Sequence, residues 1–156
     1  MTIAITSPIT GSAQTGFTSP TYTHVADTPP DVRSKQVAVT ALGGTQSGVL
    51  AHSPNCPFTI TVKRPGLLKT LSAAVLNGIT GIYSRVPSNV YSVITRKGAA
   101  YSSNQYGLVL IRTEISVPAG ADTFDAANVR AGLSAHIGSL SQQAAGIGDT
   151  ATSGIL

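Results

Sequence analysis

Polar and apolar residues alternate along the first two thirds of the chain, and near residue 118 the alternation gives way to a longer period. Alternation puts successive side chains on opposite faces of a strand, whereas apolar residues every three or four positions share one face of a helix. Strands first and helices last is an α+β order.

TIAITS alternates with Ile3 and Ile5 on one side and Thr2, Ala4 and Thr6 on the other, and Pro8 and Gly11 end it. FTSPTYTHVAD follows with Pro20 inside it, and a proline that cannot donate to a ladder points to an edge strand. Residues 1–27 therefore predict a peripheral N-terminal hairpin. Beyond the linker DTPPDVRS, KQVAVTAL sets Val37 and Val39 against Ala38 and Thr40, and GGTQSG predicts a break. CPFTITVKRP directs Phe58, Ile60 and Val62 to one face and Thr59, Thr61 and Lys63 to the other.

In GLLKTLSAAVLNGITGIYSRVP, Leu67, Leu71 and Val75 fit helical spacing but Gly78 and Gly81 interrupt it, which predicts an irregular or partly extended connection. SNVYSVITRKG and QYGLVLIRTEISVPAG are two more strands, joined by the polar loop GAAYSSNQ. In the last strand Val109, Ile111, Thr113, Ile115 and Val117 share a face, with Leu108, Leu110, Arg112, Glu114 and Ser116 opposite. The expected sheet spans 35–118, with the apolar face covered and the other open.

After Pro118, Asp125 is a suitable N-cap, and Phe124 with Val129 makes a hydrophobic staple. Val129, Leu133, Ile137 and Leu140 fall on one helical face. Gly132 and Gly138 each cost a helix roughly 1 kcal/mol against Ala, for which close approach to another backbone is one reason. The helix is expected to end near Gly146 and Gly148, with a second one started by Asp149; residues 124–156 are thus helices and tail. The chain closes on Ile155 and Leu156, and an apolar end predicts that this tail packs somewhere.

Length allows one domain, since 156 residues rarely make two. Charged residues are only 10 % of the chain against roughly 25 % in an average globular protein, and net charge is +4. So few charges predict a surface largely covered by other copies of the chain. Cys56 is the one cysteine, which excludes an intrachain disulfide and a cysteine metal cluster and reads best as a buried or loop hydrophobe. The N-terminus lacks a signal peptide's basic and apolar regions, and no run approaches the ~20 apolar residues of a membrane span. Synthesis in the cytoplasm, and no membrane partner, are the expectations.

Catalytic chemistry is missing. Asp27 and Asp31 flank linker prolines, Asp122 and Asp125 start a helix, Asp149 sits in the tail, and Glu114 is placed to pair with Arg112. His24, His52 and His136 lack metal-ligand spacing and are expected at solvent edges or helix flanks, and no phosphate-binding or nucleophile motif is present. No enzyme, metal or cofactor is expected. The basic residues say more: Lys63, Arg64, Arg96, Lys97 and Arg112 lie on or beside the best strands, and Lys63 and Arg112 fall on the open face with Thr and Ser, a surface suited to phosphates and sugars.

This order of elements resembles the coat protein of the small single-stranded RNA bacteriophages, the levivirus group. Residues 106–156 carry the resemblance most specifically: the strand LIRTEISVPAGAD, the helix FDAANVRAGLSAHIGSLSQQ and the tail AAGIGDTATSGIL. VITRKG and FTITVKRP are also similar, while residues 1–50 match only in layout. The resemblance implies an N-terminal hairpin, an antiparallel sheet of about five strands, and C-terminal helices that interlock with a partner subunit. Dimers would build an icosahedral shell, commonly T=3, with GAAYSSNQ clustering at symmetry axes. It implies that Val129, Leu133, Ile137, Leu140, Ile155 and Leu156 form the dimer interface. Thr59, Thr61, Lys63, Arg96, Arg112 and Ser116 would face single-stranded genomic RNA, including a hairpin whose binding represses replicase translation. Leu110 stands where better-known members stack a base on tyrosine; Tyr91 and Tyr106 could substitute as stacking groups, but core or interface packing is the expectation for each. The alternative is a cellular nucleic-acid-binding β module that acts as a discrete dimer.

Overall fold

The computed structural model describes residues 3–156, apart from the side chain of Ala73; Thr2 of the expected first strand lies outside this range. Its core is one antiparallel sheet of six strands in the order β1-β2-β3-β4-β7-β8. These are β1 (Ile9–Thr10), β2 (Thr18–Asp27), β3 (Ser34–Thr45), β4 (Phe58–Lys63), β7 (Ser88–Ser102) and β8 (Gln105–Pro118), with the small hairpin β5 (Val75–Leu76) and β6 (Tyr83–Ser84) between β4 and β7. Helices α1 (Ala121–Phe124), α2 (Ala126–Gln142) and α3 (Ala144–Ser153) close the chain. Strands before helices is the α+β order read from the sequence.

At the N-terminus the ladder begins later than the alternation predicts. Residues 3–6 are not strand; the Ile3 carbonyl accepts from Lys35 Nζ at 2.9 Å, and β1 pairs with β2 only through Ile9–Tyr22 and Thr10–Thr21. Pro8 has no N–H to offer, so a ladder through it would be broken. The N-terminal hairpin is therefore short, and β2 is a full member of the main sheet, paired along β3 from Thr18–Thr45 to Asp27–Gln36. Pro20 sits where the β2–β3 register slips between Thr18 and Thr21, a bulge that tolerates its missing donor.

Two expected breaks are shorter than predicted, the first beginning only at Gln46. β3 runs on through Gly43 and Gly44, and GAAYSSNQ shrinks to a turn at Ser103–Asn104, since β7 and β8 stay paired up to Ser102–Gln105. A polar composition predicts a loop, but Asn104 at φ 61° supplies the left-handed residue that a two-residue hairpin needs. The 64–87 connection is irregular as expected, with a 3-10 turn at Leu71–Ala73.

Asp125 caps α2, its Oδ1 accepting from the Asn128 N–H at 3.3 Å. The staple does not close, because Phe124 belongs to α1 and is 97 % exposed. Gly146 and Gly148 are interior to α3, which starts at Ala144 and not at Asp149. The loop between β1 and β2 holds this helix: Gln14 Nε2 donates to the Ala144 carbonyl at 2.9 Å and Thr15 Oγ1 to Asp149 Oδ2 at 2.8 Å. A Cβ at position 148 would displace the Gln14 amide from its place against α3.

Among the described residues the buried apolar side chains are Ala38, Val39, Cys56, Ile94, Val117 and Ala119, a small core for such a chain. The 15.8 kDa chain exposes 10682 Å². Folded monomers of that mass expose roughly 7,300 Å² by area–mass scaling, which leaves an excess of about 3,400 Å².

Candidate nucleic-acid interface

Strand register assigns the faces. Asp27, Gln36, Thr61, Ile94 and Arg112 form one row of register partners across β2, β3, β4, β7 and β8. Ala38, Thr59, Arg96 and Leu110 form the next row, and Ser34, Lys63, Ser92 and Glu114 the row on the other side. All share one face with Ser116, so the six candidate RNA contacts lie together. Arg96 is on this face and Lys97 on the opposite one, where its ammonium sits 5.1 Å from the Phe58 ring centroid and 3.1 Å from Cys56 Sγ.

Side-chain hydrogen bonds run across four strands of this face. Arg96 Nη1 donates to Thr61 Oγ1 at 3.0 Å, Thr61 Oγ1 donates to Gln36 Oε1 at 2.7 Å, and Gln36 Nε2 donates to Asp27 Oδ2 at 2.7 Å. A cation and an anion thus end one chain of polar groups. The Gln36 amide, helped by the Thr28 N–H, holds the Asp27 carboxyl below the usual carboxylate range. Asp31 is lowered too, first by the Arg33 N–H and then by Lys63, whose Nζ lies 3.1 Å from Asp31 Oδ2.

Burial divides the candidates. Thr61 is fully buried and Thr59 nearly so, which makes them the floor of the face, whereas Arg112 and Ser116 are exposed and Lys63 and Arg96 half-buried. Two alternating threonines look in sequence like a polar surface, but short side chains between long neighbours end up beneath them. Leu108 and Leu110 are exposed beside Arg112. The expected Arg112–Glu114 pair does not form; Lys63–Asp31 is the ion pair among the described residues. The sequence offered no signal for Gln36 and Asp27 as partners of Thr61 and Arg96, since register between strands decides that contact.

The histidines and cysteine hold no cluster that could bind a metal among the described residues. His24 is buried in β2, against the expected solvent edge, because the N-terminal segment covers it and Ser7 Oγ accepts its backbone N–H at 3.1 Å. His52 Nδ1 accepts from the Phe58 N–H at 3.0 Å, and Cys56 is buried as the sequence suggested.

No protein-family model and no curated protein matches this chain. Among solved structures it is similar to the virus-like particle of bacteriophage ESE020, at 56 % identity over 99 % of this chain and 100 % of that one, with a TM-score of 0.94. This chain belongs to the bacteriophage coat proteins.

Much of the coat protein's helical end lies open within one chain. α2 has no buried residue; Val129 and Leu133 line a groove with Ile115 and Val117 of β8, while Ile137 and Leu140 stay exposed. Ile155 and Leu156 are exposed as well, so the tail does not pack on its own subunit. Beyond the adjacent backbone of their own helix, no atom among the described residues lies within 4 Å of where a Cβ at Gly132 or Gly138 would stand. The apolar sheet face is likewise open at Val109 and Ile111, against the expectation of a cover along its whole length. No helix of the coat protein, among the described residues, is long and apolar enough to cross a membrane.

Proposed function

We propose that this is the coat protein of a single-stranded RNA bacteriophage of the levivirus type, which interlocks as a dimer, builds an icosahedral shell and packages genomic RNA. The observation that carries the reading is the surface one subunit leaves open: about 3,400 Å² beyond the norm for its mass, with apolar residues at its helical end. An obligate interface of roughly 2,000–5,000 Å² is built from such surface. Val129, Leu133, Ile137, Leu140, Ile155 and Leu156 meet the partner subunit, and Gly132 and Gly138 let its backbone come near.

Arg96, Arg112, Lys63 and Ser116 meet RNA phosphates and sugars, and Thr59 and Thr61 support them from below. Thr61 also fixes the Arg96 guanidinium. Three cations on one subunit attract RNA weakly, but a shell repeats them around an enclosed volume. The same face takes a hairpin of the genome and so represses replicase translation, through polar contacts and the Leu108–Leu110 surface in place of a stacked tyrosine. The protein is made in the bacterial host cytoplasm and resides in the virion; its role is structural, not enzymatic.

Size-exclusion chromatography with light scattering on the bacterially expressed protein tests this, with the ratio of nucleic-acid to protein absorbance recorded across the peak. Particles of virus size carrying RNA are expected. A clean RNA-free dimer overturns spontaneous encapsidation and moves the discrete nucleic-acid-binding module to first place.

A further inference from the structure

Between β4 and β7 stands a hairpin that touches little of its own chain. Residues 70–84 contain no charged side chain, and Lys69 and Arg85 flank them. Val75, Leu76 and Ile82 are each more than half exposed and Ile79, at the tip, is 98 % exposed. Among the described residues no hydrogen bond joins 75–84 to the rest of the subunit; every one closes within the hairpin or its own turn.

The tip is nevertheless built. Asn77 Oδ1 accepts the N–H groups of Ile79 and Thr80 at 2.9 and 3.2 Å, the Asn77 N–H donates to the Ile82 carbonyl at 2.9 Å, and the Gly81 N–H donates to the Asn77 carbonyl at 2.8 Å. Gly81 takes φ +67°, which a side chain rarely adopts. An asparagine turn that holds its shape without tertiary contacts presents Ile79 in a fixed position, so little conformational freedom remains to be lost on docking. Contiguous apolar surface of this kind, held out from a subunit, marks a protein-contact site.

We infer that the 75–84 hairpin is a docking peg for a second copy of this chain, one that joins dimers within the shell. The inference rests on the coat-protein reading above. The occupant is a second copy because the similar solved chain assembles into a virus-like particle, in which copies must meet other copies, and because a chargeless tip offers RNA phosphates no cation to pair with.

Ile79→Cys tests it, since the natural Cys56 is buried and slow to react. In intact particles a maleimide is expected to label position 79 at least roughly tenfold more slowly than in dimers dissociated from them, access being what limits the thiol. Equal labelling overturns the peg. Ile79→Ser with Ile82→Ser gives an independent measure: the dimer persists with wild-type circular dichroism while particles are lost or dissociate at lower denaturant, and particles of unchanged size and resistance overturn the proposal. Wild-type protein that yields no particles defeats the coat-protein reading itself, a result seen before either variant is made.

Discussion

Thr61→Val removes one hydroxyl from the middle of the Arg96–Thr61–Gln36–Asp27 chain and changes almost nothing else, because valine has threonine's shape and the site is fully buried. Two hydrogen bonds disappear. The one from the guanidinium is worth about 1.5–3 kcal/mol and the one to Gln36 about 0.5–1.5 kcal/mol net, but Arg96, half-buried, regains most of its share from water. The new methyl returns about 0.8 kcal/mol of burial. The net expectation is a loss of about 1 kcal/mol, or roughly 2–4 °C in Tm for a chain of this length. Thr59→Val is the control: Thr59 is almost as buried, yet its hydroxyl makes no hydrogen bond among the described residues, so the same exchange is expected to lie between neutral and a gain of about 0.8 kcal/mol. Thermal and urea unfolding at one fixed protein concentration measures both. Equal effects of the two variants, or a Thr61→Val loss under about 0.5 kcal/mol, refute the argument that the cross-strand chain stabilises the sheet.

Three other outcomes are expected. Asp27 and Asp31 both have carboxyls lowered in the fold, so their contribution is fully present above the unfolded value near 3.9 and is lost as pH falls through the lowered folded values; a Tm series from about pH 6 to pH 2.5 should show this acid limb, made shallower by Asp27→Asn. Lys63→Ala with Arg112→Ala should leave particle assembly intact while RNA content falls, read from the absorbance ratio of purified particles; unchanged RNA content removes these residues from the RNA surface. Gly98→Ala places a Cβ 2.7 Å from Cys56 Cα and 2.9 Å from its Sγ, and this overpacking should cost about 1–3 kcal/mol in urea unfolding.

Periodicity was enough for β4 and β8 and their faces, because each alternates strictly; it located β7 too, but either face of residues 89–97 could have been the open one until register placed Arg96 beside Thr59 and Leu110. It failed where one residue's geometry outweighs composition. GAAYSSNQ is polar but becomes strand because Asn104 turns the chain in two residues, and TIAITS alternates but finds no neighbour until Ile9. α3 runs through two glycines because the Gln14 and Thr15 side chains, some 130 positions away in the chain, hold it. The candidate RNA face was legible as a set of residues and not as a surface. Alternation put Thr59, Thr61, Lys63, Arg112 and Ser116 on one side, but only register could show that Thr61 is floor, that Arg96 is tied to it and that Lys63 is matched by Asp31. The resemblance carried by the last strand and helix placed the chain correctly among bacteriophage coat proteins.

The small buried core carries a thermodynamic consequence. A subunit with so few enclosed apolar side chains draws much of its folding free energy from association, and folding coupled to association depends on how many subunits are present. Its melting temperature should therefore climb with protein concentration, and two variants compared at different yields would differ in Tm without differing in any contact. In a cell where the chain accumulates gradually, scarce copies are the ones open to proteolysis and abundant copies protect one another, so the amount of protein itself sets the moment at which the fold becomes durable.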